Sequence, residues 1–215
     1  EMPGRLPAVL EAVYGCYAID WQRTTGATER GTLADEALYL AVTLASLLGN
    51  EPEAFGLAAL ICLSSARADA RDGVDFVPLD EQDVSLWSSS LIRKGEEYLR
   101  RAHTLGLIGR FQLEAAIQSV HCDRAVSGVT DWVALRTLYE GLIRVAPTLG
   151  ALVSLAATVA EIDGPAAGLK RLYALDDPGI QRFQPAWATR AHLLAELGRA
   201  DDAERAFAKA ISLTT

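Results

Sequence analysis

At 215 residues, half of them hydrophobic and 22% charged, the chain has enough apolar material for a sizeable core, which excludes a disordered class. A formal net charge of −8 repels phosphate, so duplex DNA and acidic membrane surfaces are excluded as direct partners, because duplex binding draws most of its affinity from basic contacts. The best apolar run, FGLAALICL at 55–63, is far shorter than the roughly 20 residues a membrane-spanning helix needs.

In chain order, Leu6, Val9, Leu10, Val13, Tyr14 and Tyr17 follow the spacing of one helical face, and Trp21 extends it. The stretch QRTTGATERGT (22–32) breaks that pattern. Leu40, Leu44, Leu47 and Leu48 mark a second helix that stops at Gly49. Pro52 opens a third at a position where a missing N–H does no harm, and its apolar residues run nearly all round, which predicts a central helix. A fourth runs from about Leu86 to Leu105, turning Trp87, Leu91, Gly95, Tyr98 and Ala102 inward and ending at Gly106. Further helices begin near Phe111, Asp131, Leu149, Pro165, Pro185 and Ala200; only VDFVP (74–78) hints at a strand. The class is all-α.

The second half repeats. Tyr139, Tyr173 and Phe207 stand 34 residues apart, as do Leu135, Leu169 and Ala203. The same interval joins Ala157 to Ala191 and Gly164 to Gly198. Such a period is the mark of tetratricopeptide-like helical hairpins. Ala191, Gly198, Ala203 and Phe207 are clearest in the last unit, with Pro147 following Tyr139 where such repeats place a proline. Small residues let paired helices approach, and the aromatics Tyr139, Tyr173 and Phe207 are expected to fill the gaps between units. The expected parts are 1–126 and 127–215 of one continuous all-α domain, the second a hairpin superhelix of the kind that binds other proteins.

Chemistry is sparse. The acidic loop FVPLDEQDVSLW (76–87) offers carboxylates but no rigid pair. Its plainest reading makes Asp83 the cap of the helix carrying Trp87, with Asp80 and Glu81 near that helix's positive end; a partner contact comes next. DARDGVD (69–75) lacks the oxygen ligands of a calcium loop. No two of His103, His121 and His192 stand at ligand spacing, and no GxSxG, HExxH or GxxxxGK[ST] motif occurs. No cofactor is expected. Of three cysteines without CxxC spacing, Cys16 and Cys62 sit among apolar helical positions, which predicts reduced, buried thiols and a cytoplasmic location. Glu1 is no natural start, so the sequence reads as a piece of something longer.

FVPLDEQDVSLWSSSLIRKGEEYL together with GRFQLEAAIQSVH (109–121) resembles the long C-terminal extension of one group of extracytoplasmic-function sigma factors of bacterial RNA polymerase. In that group a D-E-Q-D loop precedes a tryptophan helix, and an R-[FY]-Q-L-E-A-A-I-Q-S run follows. Here these are Asp80, Glu81, Gln82, Asp83 and Trp87, then Arg110 to Ser119. EALYLAVTLASLLGNEPEAFGLAALI (36–61), TDW (130–132), GPAAGL (164–169) and the repeat-like end continue the likeness. Val84 and Ser88 depart from it, standing where the family often has arginine and aspartate. The resemblance implies a non-enzymatic accessory domain that docks on the sigma factor's own DNA-binding regions or on core RNA polymerase. Asp80, Glu81, Gln82, Asp83 and Trp87 are the contact candidates. The promoter-binding regions of such a factor lie N-terminal to this extension, and DNA contact belongs to them. A stand-alone tetratricopeptide scaffold unrelated to transcription is the alternative, a homodimer through helix faces is compatible with either, and an enzyme using Asp80, Glu81 or Asp83 requires a pocket beside the loop.

Overall fold

The first half of the chain folds around one helix that has no solvent side. Pro52–Ser65 (α3) is entered through Pro52, and nearly every residue from Pro52 to Ser64 is buried. The computed structural model describes residues 4–22, 30–71, 77–79 and 81–214. Asp80, the break at 23–29, part of the calcium-like stretch and most of the strand hint at 74–78 lie outside the described residues, as does the Trp21 side chain. Among the described residues there are ten α-helices and no strand, so the fold is an all-α helical array. It divides into two compact units, Glu1–Thr130 and Asp131–Thr215.

In the first unit α3 packs against Leu6–Gln22 (α1), Arg30–Leu47 (α2), Ser89–Thr104 (α4) and Arg110–Ser127 (α5). From α1 come Leu10, Val13 and Tyr17, all buried, while Val9 is exposed. The buried stripe of α2 is Ala37, Ala41 and Ala45, not the leucines. Leu40 and Leu47 face solvent, and Leu44 and Leu48 are only partly covered. Alanines at four-residue spacing let two backbones come close, a gain that a count of leucines misses. Cys62 is buried as expected, but Cys16 is exposed on α1. The fourth helix starts three residues later than the periodicity predicts, because a separate 3-10 turn, Val84–Leu86, precedes it.

The second unit is a sequential array: Trp132–Val145 (α6), Leu149–Asp163 (α7), Pro165–Tyr173 (α8), Gln184–Glu196 (α9) and Ala200–Ile211 (α10). Each packs on the next, and α7 also reaches α9, as in stacked hairpins. The 34-residue interval is visible in burial: Leu135, Leu169 and Ala203 are all enclosed. It is visible in the turns as well, where Gly164 and Gly198 close α7 and α9 with φ of 92° and 71°. Gly168 is needed for another reason. A Cβ there would sit 2.5 Å from the Ala160 Cβ and 2.7 Å from the Ala156 carbonyl oxygen, so α7 and α8 meet backbone to backbone.

The aromatic positions behave differently from the sequence expectation. Tyr139 is half-buried, but Tyr173 is 50% and Phe207 44% exposed. Phe207 lies on the last helix described, with no following hairpin among the described residues, and Tyr173 stacks under the Arg190 guanidinium at 4.8 Å. Ala191, Ala203 and Ala210 are buried instead, beside Leu169, Leu193 and Leu194.

Candidate functional site

The loop that carries the resemblance is anchored at the end of α3. The Ser88 N–H donates to the Ala66 carbonyl at 2.8 Å, which ties the loop's far end to the α3 C-terminus. Between these points Asp83 caps the 3-10 turn, its Oδ1 accepting from the Ser85 N–H at 2.9 Å. Hydrogen bonding from the Ser85 side chain, and then from its N–H, holds the exposed Asp83 carboxyl below its ordinary pKa, so it stays ionised. The cap of α4 itself is Ser88, whose hydroxyl accepts from the Leu91 N–H at 3.4 Å. Capping is therefore divided between Asp83 and Ser88. The serine standing in the family's aspartate position does work an aspartate does equally well, so that departure costs the local fold little.

Trp87 occupies the joint between the 3-10 turn and α4 and is 6% exposed. The Arg67 and Arg124 guanidinium carbons each lie 5.9 Å from its ring centroid. Arg124 also donates to the Leu79 carbonyl and, at 3.4 Å, to the Gln82 carbonyl, fastening the loop to α5. Arg67 donates to Gln118 of the same helix. Gln82 is 6% exposed too, with its Nε2 donating to the Val77 carbonyl at 3.3 Å. His121, also on α5, is pushed down to about 4 by burial and then by the charges of Arg67 and Arg124, which keeps the imidazole neutral.

Of the five contact candidates, then, Gln82 and Trp87 face inward, Glu81 and Asp83 face solvent, and Asp80 lies outside the described residues. The structure brings the two quoted motifs together but spends the tryptophan on packing. The nearest exposed apolar side chain in the loop is Leu86.

Sequence reasoning missed a second constellation at the other end of α5. Gly109, its N-cap residue, has no side chain to offer. Glu53 on α3 supplies the cap from 58 residues away in sequence, accepting from the Phe111 N–H at 2.9 Å and the Gln112 N–H at 3.2 Å. The Gln112 side chain bridges the Glu53 carboxylate, at 3.2 Å, and the Leu107 carbonyl, at 2.7 Å. Arg110 pairs with Glu114 at 2.8 Å and Glu11 at 2.6 Å and lies 5.1 Å from the Tyr14 ring centroid. Burial pushes the Glu114 carboxyl up against the pull of Arg110. From sequence alone Glu53 is legible only as an acid in the first turn of its own helix, because the helix it caps is brought to it by tertiary packing.

Among the described residues no group of three or more His, Cys, Asp or Glu side chains could hold a metal ion, and no helix is long and apolar enough to cross a membrane.

Fold and loop define an all-helical array whose motif residues are tied mainly into its own architecture. Residues 5–103 match the model of a family of unknown function, DUF6596. The chain is also 32% identical over 214 residues to an uncharacterized protein of Rhizobium meliloti (strain 1021), an alignment covering 98% of this chain and 50% of that protein. The chain therefore spans about half the length of this curated relative. No solved structure matches it.

Proposed function

We propose that the chain is the C-terminal accessory domain of an extracytoplasmic-function sigma factor. In this reading it works in the cytoplasm, without a catalytic step or cofactor, by contacting the factor's own DNA-binding regions or core RNA polymerase during transcription initiation. The observation that carries the reading is the junction of the two motifs. The D-E-Q-D–tryptophan loop and the R-F-Q-L-E-A-A-I-Q-S helix lie on each other through Trp87, Arg124 and the Arg67–Gln118 bond, so the resemblance rests on one packed feature rather than two scattered strings. The family matched by residues 5–103 is associated with sigma-70 family proteins, which supports the same reading. A relative twice as long also suits an accessory part of a larger protein.

Mechanistically, a domain that binds one arrangement of its neighbours more tightly shifts the population toward that arrangement, by no more than its differential affinity. Among the described loop residues, Glu81, Asp83, Ser85 and Leu86 face outward for such a contact. The test is a deletion of residues 1–215 from the full-length factor, with promoter-driven transcription as the readout. A change in output under inducing conditions is expected; unchanged output removes the regulatory role.

A further inference from the structure

The second unit contains a small pocket that the reading above does not use. It is a partly open cleft between the end of α8, the 3-10 turn Ile180–Arg182 and the start of α9. Leu172, Leu175, Ile180 and Ala186 supply an apolar lining. Tyr173, Gln181, Trp187 and Arg190 supply the rest. The Trp187 wall is fixed, since its Nε1 donates to the Gln181 carbonyl at 3.2 Å.

Arg190 is the unusual member. Its guanidinium carbon lies 4.8 Å from the Tyr173 ring centroid and 5.0 Å from that of Trp187. Its Nε is buried and has no hydrogen-bond acceptor among the described residues. Nor does any described carboxylate pair with it, although the chain carries 28 acids against 20 lysines and arginines. Aromatic rings satisfy the face of a guanidinium but not its N–H edge, which is a planar fork matched to two oxygens of one anion. Nε itself is enclosed and out of an anion's reach, so an anion in the pocket meets Arg190 through its terminal N–H groups.

We propose that this pocket binds a small monocarboxylate with a branched hydrocarbon body, its two oxygens on Arg190 and its hydrocarbon on Leu172, Leu175 and Ile180. A single arginine neutralises one negative charge, and an apolar lining gives a second charge no partner, so a carboxylate fits better than a phosphate dianion. The carboxylate could belong to a free acid or to a peptide's terminal leucine; the chemistry is the same. The inference is independent of the sigma-factor reading and stands or falls separately.

The test uses the whole 215-residue chain with 4-methylpentanoate, its amide, and an acetylated tetrapeptide ending in leucine with its own amide, by ligand-observed NMR and calorimetry. At least one acid is expected to bind saturably, with a Kd on the order of 1 mM for the free acid, and its amide at least about tenfold more weakly. Preference between the two acids identifies the source. Arg190→Gln is expected to weaken the acid about tenfold or more and leave the amide unchanged. Arg190→Lys, which keeps the charge but loses the fork, provides a milder variant should the first unfold, with a loss of several-fold expected. Equal binding of acid and amide, no saturable binding of either acid, or a folded Arg190→Gln chain with undiminished affinity overturns the proposal.

Discussion

Replacing Glu53 by alanine removes the acceptor for two backbone N–H groups in the first turn of α5, those of Phe111 and Gln112. Neither has a substitute nearby, because the N-cap residue is Gly109. Loss of an ordinary capping side chain costs about 1–2 kcal/mol. This cap is a carboxylate, whose hydrogen bonds are each worth roughly 1.5–3 kcal/mol when partly shielded from water, and Gln112 is itself buried. The bond from Gln112 to the Leu107 carbonyl survives and limits the damage. A destabilisation of about 2–3 kcal/mol is expected for Glu53→Ala in equilibrium urea unfolding followed by helical circular dichroism. Glu53→Gln keeps one oxygen and is expected to lose about half as much. Amide hydrogen exchange at Phe111 and Gln112 should accelerate before that of the α5 centre. An effect of Glu53→Ala below about 0.5 kcal/mol, the range of an ordinary surface change, would refute the argument that α3 caps α5.

His121 gives a pH dependence. Its folded pKa, near 4, lies below the ordinary 6.5, so between those values the unfolded chain holds a proton that the folded one does not. Stability therefore falls as pH drops through that window, by about 3 kcal/mol in full from this group, and His121→Gln should flatten that part of the unfolding profile. Glycine substitutions should carry opposite signs: Gly168→Ala forces α7 and α8 apart and is expected to cost about 1–3 kcal/mol. Gly15→Ala, with open space around its Cβ on α1, should stabilise by about 0.5–1 kcal/mol in the same assay. Of the cysteines, Cys16 alone should react quickly with a thiol reagent in the folded chain, since burial encloses Cys62 and Cys122 and pushes each thiol up to about 11; equal labelling of all three would contradict the packing of α3 on α5.

Helix existence was legible wherever a local signal marked a boundary. Pro52, Pro165 and Asp131 each act within their own first turn, through a ring that needs no N–H or an oxygen that accepts from one, and a short-range signal survives in a single sequence. The buried face of α2 was not legible, because its leucines outweigh Ala37, Ala41 and Ala45 in any hydrophobic count while close helix contact favours the small side chains. The Glu53 cap and the Arg67–Trp87–Arg124 cluster join residues far apart in sequence, and no spacing rule connects them. At the loop, Asp83 was recognisable as a cap from its place before Val84, but the 3-10 turn that separates it from α4 was not. Trp87 read as a helix residue for the same reason.

The most direct measurement is binding of the purified 215-residue chain to core RNA polymerase and, separately, to the DNA-binding regions of the sigma factor proposed to carry it, by biolayer interferometry. Saturable binding to one of them with a Kd on the order of micromolar or tighter, weakened when Glu81 and Asp83 are both changed to lysine, is the expected result. No binding to either would contradict the claim that these helices serve transcription by contact.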